Sequence, residues 1–189
     1  MTNRGNFEGH TILSVDTDSP DFARKEGLQE EEFSELLDRS RRTLLKARSQ
    51  RTHPGLDDKS LTAWNGLMLR SFAEAAMILR QEEYRTAAVA NATFLLDALR
   101  QDGRLLRTYK DGRAKLKGYL EDYAFFIDGL LALYEATFDH RWLREARGLA
   151  DSMVDLFWDE GQGAFYDTGS DHEQLIVRPR DLFDNATPC

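Results

Sequence analysis

The chain has 189 residues, 41% hydrophobic and 11% aromatic, enough to build one domain, or part of one, around a sizeable core. Its net charge of −8, from 33 acidic and 25 basic residues, argues against nucleic acid or an anionic membrane surface as the main partner. No apolar run approaches the roughly 20 residues of a membrane-spanning helix.

Residues 1–28 are weakly patterned and read as an irregular N-terminal segment. A short strand is expected within 7–15, centred on Thr11-Ile12-Leu13, followed by turn residues and charge over 16–27. A helix over 29–50 carries Phe33, Leu36, Leu37, Leu44 and Leu45 on one face, and Pro54-Gly55 ends that region. The next helix, over 60–80, has little polar face: Leu61, Trp64, Leu67, Met68, Leu69, Phe72, Met77, Ile78 and Leu79 surround it. Such a helix is expected to be buried on all sides. The helix over 82–100 instead has a one-sided stripe of Tyr84, Ala87, Ala88, Phe94, Leu95, Ala98 and Leu99. Two strands over 104–109 and 113–117 then flank the turn pair Asp111-Gly112.

The same order returns. An all-round apolar helix spans 119–137, an amphipathic one 139–158, and a strand pair is expected at 164–168 and 174–178. Phe72-Ala73-Glu74 aligns with Leu133-Tyr134-Glu135 at an offset of 61, and Arg104-Leu105 with Ala164-Phe165 at 60. Self-similarity of this kind marks stacked supersecondary units that bury their apolar faces against each other. Alternation of buried and half-buried helices predicts an all-α toroid of the α/α type, inner helices sheathed by outer ones, with short β-hairpin excursions. The domain is read as covering 1–189.

Several residues are candidates for a site. Asn65 on the first inner helix is either a pocket residue or a structural amide bonding a neighbouring loop, since an unpaired buried amide costs about 1–3 kcal/mol. Its neighbour Trp64 stands beside Gly66, which costs a helix up to about 1 kcal/mol and so points to close approach of a backbone or ligand. Asp57-Asp58-Lys59 precedes that helix, as an acidic N-cap region or as sugar-binding charges at the mouth of the ring. Glu121-Asp122-Tyr123 opens the second inner helix. Neighbouring helix positions point about 100° apart, so Glu121 and Asp122 do not form a facing pair, and an acid/base partner must come from another helix. An Asp among apolar groups has a raised pKa and can donate a proton; the alternative is first-turn acids that satisfy helix N–H groups. Arg178, before Pro179-Arg180, is placed to fork onto a carboxylate or to be solvated, with Asp184 nearby. Trp142 and Trp158 fit packing between rings. His10, His53, His140 and His172 are scattered, so no metal is expected, and no motif implies a cofactor. The single cysteine, Cys189, is terminal, and residues 1–6 show no apolar signal-peptide core. Both fit the cytoplasm.

Five blocks occur in a fixed order: Asn6-Phe7-Glu8-Gly9, Asp57-Asp58-Lys59, Trp64-Asn65-Gly66-Leu67-Met68, Gly118-Tyr119-Leu120-Glu121-Asp122-Tyr123-Ala124, and Asp184-Asn185-Ala186-Thr187-Pro188. Together they resemble the C-terminal part of the thioredoxin-domain-containing proteins related to spermatogenesis-associated protein 20. The resemblance runs from about residue 6 to 188. It implies an (α/α)6 toroid of the six-hairpin glycosidase-like class, an architecture shared with N-acylglucosamine 2-epimerases, and through it a carbohydrate-type ligand. Asp122 and Glu121 then stand as catalytic candidates, and Asp57, Asp58, Lys59, Trp64, Asn65, Tyr123, Arg178 and Asp184 as substrate-binding ones. This chain lacks the family's thioredoxin-like domain and any Cys-x-x-Cys, holds about three of the ring's hairpins, and has Cys189 where members usually have Ser. An unclosed ring exposes apolar edges that favour self-association.

Two functional readings follow. One is a carbohydrate-active domain, glycoside hydrolase-like or sugar epimerase-like, with a pocket at the inner-helix ends. The other is a helical-repeat interaction module, without catalysis of its own, attached to the thioredoxin-like domain of longer relatives.

Overall fold

The computed structural model describes residues 8, 9, 12, 14, 15 and 17–181. It divides into two units, Met1–Leu56 and Asp57–Cys189. The expected strand within 7–15 falls largely outside the described residues, as do His10, Asp184 and Cys189. No helix among the described residues is long and apolar enough to cross a membrane.

The first unit contains helices α1 (Ser19–Lys25) and α2 (Glu30–Arg48). Helix α1 replaces the expected turn over 16–27. Its signal is Pro20 in the first turn, where a missing N–H costs nothing, with Asp21 at the positive end and Arg24 and Lys25 at the negative end. Phe22 meets Phe33 of α2 at 5.3 Å between ring centroids. Leu44 and Leu45 of α2 are exposed.

The second unit runs β1 (Ser60–Leu61), α3 (Thr62–Leu79), α4 (Glu82–Ala98), β2 (Arg100–Gln101), β3 (Arg104–Lys110), β4 (Arg113–Lys117), α5 (Leu120–Thr137), α6 (His140–Phe157), β5 (Trp158–Asp159) and β6 (Ala164–Phe165). Helical hairpin followed by strands therefore occurs twice, as the repeat predicts, so this unit holds two such hairpins.

Helices α3 and α5 lie side by side and run parallel. Ala63 meets Asp122, Gly66 meets Phe125 and Phe126, and Arg70 meets Asp128. On α3 the seam toward α5 is Thr62, Gly66, Leu69, Ala73 and Ala76, a spacing of four and three that keeps one stripe on one face. The small residues let the backbones close in. A Cβ on Gly66 would sit 2.6 Å from the Phe125 carbonyl carbon, and one on Gly129 2.8 Å from the Gly66 oxygen. The close approach signalled by Gly66 is thus that of a backbone.

Helices α4 and α6 lie outside this pair and bury one stripe each: Ala88, Ala92 and Leu95 from α4, Trp142, Ala146 and Leu149 from α6. With Leu69, Phe126, Leu130, Leu133 and Phe157 these form the core.

Two expectations need correction. Helix α3 is not buried on all sides: Trp64 is 64% exposed, Met68 50% and Ile78 77%. Its neighbours α4 and α5 cover only part of its circumference. The second strand pair also differs, because β6 pairs with β5 (Trp158↔Phe165) and not with 174–178. The stretch 174–178 forms no strand; it is held instead through Arg178, described below. The first pair is as expected. Lys110 faces Arg113 across Asp111-Gly112, both at positive φ, and β3 also pairs with β1 and β2.

Candidate functional site

The N-terminal ends of α3 and α5 meet at Asp122. Its side chain is fully buried. One oxygen accepts from the Ala63 N–H at 2.9 Å; the other accepts from the Tyr119 N–H at 2.9 Å and from Arg107 Nη1 at 3.0 Å. Asp122 therefore caps its own helix and the first turn of α3, whose N-cap residue, Leu61, has no side-chain cap to give. Burial pushes its pKa up, while the Tyr119 N–H, Arg107 and the Ala63 N–H pull the other way. The raised pKa anticipated from sequence is present, but every oxygen is engaged by a donor and sealed from solvent.

Arg107 connects this buried cap to the surface. Besides Asp122 it donates to Glu121 Oε1 at 2.7 Å, and its guanidinium lies 4.7 Å from the Tyr119 ring centroid. Glu121 is about one third exposed, so its carboxylate faces solvent where Asp122 does not. His172 stacks on Tyr119 at 5.2 Å and 11°.

Tyr123 is also fully buried. Its hydroxyl accepts from the Leu105 N–H at 3.0 Å and from Arg104 Nη1 at 2.7 Å, tying β3 to α5. Arg104 continues to Asp171 at 3.0 Å and to the Gly118 carbonyl at 3.0 Å. Burial works to raise the Asp171 pKa, but Arg104 and Lys117 outweigh it and hold the carboxyl below its ordinary value. A lowered folded-state pKa adds stability above the unfolded value near pH 3.9, and that stability is lost as pH falls through the folded value. Thermal melts across an acid series are expected to show this fall, with Asp171→Asn lowering the neutral-pH Tm and flattening the acid limb. An unchanged acid limb in the variant contradicts the assignment.

The remaining candidates engage separate partners. Asn65 turns back on its own helix, Nδ2 donating to the Leu61 carbonyl at 2.8 Å. The amide thus bonds the N-cap residue of α3 and not a neighbouring loop. Trp64 projects into solvent. Asp58 pairs with Lys110 at 2.5 Å, which lowers its pKa, and Lys59 pairs with Asp57 at 3.2 Å. Neither acid caps α3, which corrects the N-cap reading. Arg178 donates to the carbonyls of Leu156, near the end of α6, and of Thr168, beyond β6, and lies 4.0 Å over the Tyr166 ring, so it is neither forked onto a carboxylate nor simply solvated. Trp142 is buried as expected, while Trp158 is partly exposed and packs on Phe165. A cleft of about 270 Å³ lies between α1 and α2, lined by Pro20, Phe33, Leu37 and Arg41 among others, and holds none of the candidate residues.

Sequence reasoning missed Arg104, Arg107 and Asp171. A signal existed: two arginines on a strand that also carries the buried Leu105 and Leu106 require partners, since partly buried cations are almost always paired.

No protein-family profile matches the chain. Human spermatogenesis-associated protein 20 is 36% identical over 196 residues, covering 98% of this chain. The rat protein of that name is also 36% identical, over 97% of the chain. Proteins named spermatogenesis-associated protein 20 are thus homologues of this chain over nearly all of it. It spans about a quarter of the length of those relatives. The uncharacterized protein B0495.5 of Caenorhabditis elegans is 27% identical over 97% of the chain.

Solved structures extend the likeness to fold. Cellobiose 2-epimerase from Spirochaeta thermophila superposes with a TM-score of 0.56 at 22% identity, over 69% of this chain and 33% of that one. The cellobiose 2-epimerase of Bacillus thermoamylovorans gives 0.55 at 19%, over 61% and 31%. A sugar epimerase from a ruminal bacterium gives 0.52 at 16%, over 64% and 34%. This spermatogenesis-associated protein 20 homologue therefore has the (α/α)6 toroid type of fold, over about a third of the length of those enzymes.

Proposed function

We propose that the second unit belongs to a carbohydrate-active domain and binds a sugar at the N-terminal end of the α3–α5 pair. The observation that carries this reading is the fold shared with sugar epimerases, whose named substrates are carbohydrates. The local chemistry supports it. Trp64 offers an exposed apolar plane, Glu121 a solvent-facing acceptor and Arg107 donors, a mixture suited to the apolar faces and hydroxyls of a sugar ring. In this reading Glu121 touches the ligand, and Asp122 is a positioning residue that holds Arg107 and both helix ends.

Titration calorimetry of the full chain with glucose, mannose and cellobiose tests it. Binding is expected for at least one sugar, with loss in Trp64→Ala and Glu121→Gln variants that still melt cooperatively. No heat with any of the three, or unchanged binding in both variants, overturns the reading.

The second reading, a helical-repeat interaction module without catalysis of its own, is favoured by one observation, the exposed apolar face of α3. A partner whose mapped interface lies on that face, with no sugar binding, supports it.

A further inference from the structure

The β3–β4 hairpin is basic within an acidic chain. Arg104, Arg107, Lys110, Arg113, Lys115 and Lys117 stand against a single acid of the hairpin, Asp111, while the whole chain carries −8. Lys110 lies directly across the ladder from Arg113, a like-charge pair that weakens a sheet. Asp58 takes Lys110, and Asp171 takes Arg104 and Lys117. Arg113 and Lys115 have no ion-pair partner among the described residues.

Leu116 stands among these cations in a conformation that a regular strand does not require. Its φ is +61°, in the left-handed region that leucine rarely enters. The register, Thr108 against Lys115 and Leu106 against Lys117, sets it opposite Arg107. Strand alternation would put it on the side of Ala114, which packs against the core, yet Leu116 is 64% exposed. The chain gains no burial from this strain, and strained residues cluster at ligand clamps.

Arg107 gives only Nη1 to Glu121 and Asp122. Its Nε–Nη2 edge makes no hydrogen bond among the described residues. Such an edge matches two oxygens of a carboxylate or phosphate. Paired strands lie about 5 Å apart, so the backbone of Leu116 and its flanking lysines runs within one screening length of Arg107, about 8 Å at physiological salt.

We infer that the sugar bound at this end of the α3–α5 pair is anionic. Its carboxylate or phosphate lies on the open edge of Arg107, Leu116 packs on its apolar face, and Lys115 adds positive charge that no acid of the chain cancels. Glu121, on the Nη1 side, is left for the hydroxyls. The inference rests on the sugar site proposed above and names the class of sugar it takes.

Titration calorimetry of the full chain with glucose, glucuronate and glucose 6-phosphate tests it. At least one acidic sugar is expected to bind about tenfold or more tightly than glucose, the worth of one charge-assisted hydrogen bond, and the advantage to shrink as salt is raised. The arm that shows it identifies carboxylate or phosphate. The advantage is expected to fall about threefold or more in Lys115→Gln, a change at an exposed position without an ion pair. Leu116→Gly suits the left-handed backbone, so it is expected to hold or raise the Tm while weakening the acidic sugar. Acidic sugars that bind no more tightly than glucose, or an advantage untouched by Lys115→Gln, overturn the inference and leave the sugar site standing. No heat with glucose or with either acidic sugar overturns both. Parental affinity in Leu116→Gly overturns the part given to Leu116.

Discussion

Replacing Gly66 with alanine is expected to destabilise the second unit by about 2–3 kcal/mol, although the same change in an open helix stabilises it by up to about 1 kcal/mol. The added methyl would lie within 2.8 Å of three main-chain atoms of Phe125 and Phe126, and none of them is the free end of a flexible side chain. The parallel pair must separate, and with it the core set of Leu69, Phe126 and Leu133. Thermal melts are expected to show a fall of roughly 5–10 °C in a chain of this size. Gly148→Ala is the control. It also lies in a helix, α6, but its methyl meets nothing nearer than 3.9 Å, so a small rise is expected there. If both substitutions raise Tm, the close packing of α3 against α5 is refuted.

The second large effect is expected at Asp122. Asp122→Ala removes the acceptor for two helix-end N–H groups and leaves Arg107 with Glu121 alone. Losing one partner of a buried ionic contact costs about 3–5 kcal/mol. Asp122→Asn should be nearly as costly, since one oxygen becomes an NH2 that faces donors. The pH dependence gives an independent readout. With its pKa raised by burial, the aspartate's own titration favours the folded state below the unfolded value, and this contribution is lost as pH rises through the folded value. The gap between parent and Asp122→Asn is therefore expected to be widest at acid pH and to narrow as pH rises through the folded value. A constant gap across the series contradicts this placement of the carboxyl.

The architecture was legible because it is written in spacing. The recurring order of apolar helix, amphipathic helix and strands, the apolar character of 119–137 and the Asp111-Gly112 turn survive in the structure, although the equivalent helices start 58 residues apart and not 61. The extent of burial of α3 was not legible. Its composition describes a helix made to be covered, and nothing in a single sequence says whether the cover is present in the same chain. Helix α1 went unread because seven residues give too little periodicity to outweigh Asp18, Ser19 and Pro20, which serve turns and helix starts alike. At the candidate site, the acids Glu121 and Asp122 were found but the cations Arg104 and Arg107 were not. The arginines lie 14 to 19 residues away from the groups they bind in α5, and a pairing across that distance leaves no periodic trace.

Asp122 also sets an order of assembly. The Ala63 N–H it receives lies 59 residues earlier. During synthesis the leading end of α3 waits uncapped until that aspartate emerges from the ribosome. The first hairpin thus reaches its finished form only once the start of the second has been made, so a nascent chain halted near residue 118 is expected to hold α3 frayed at its leading end.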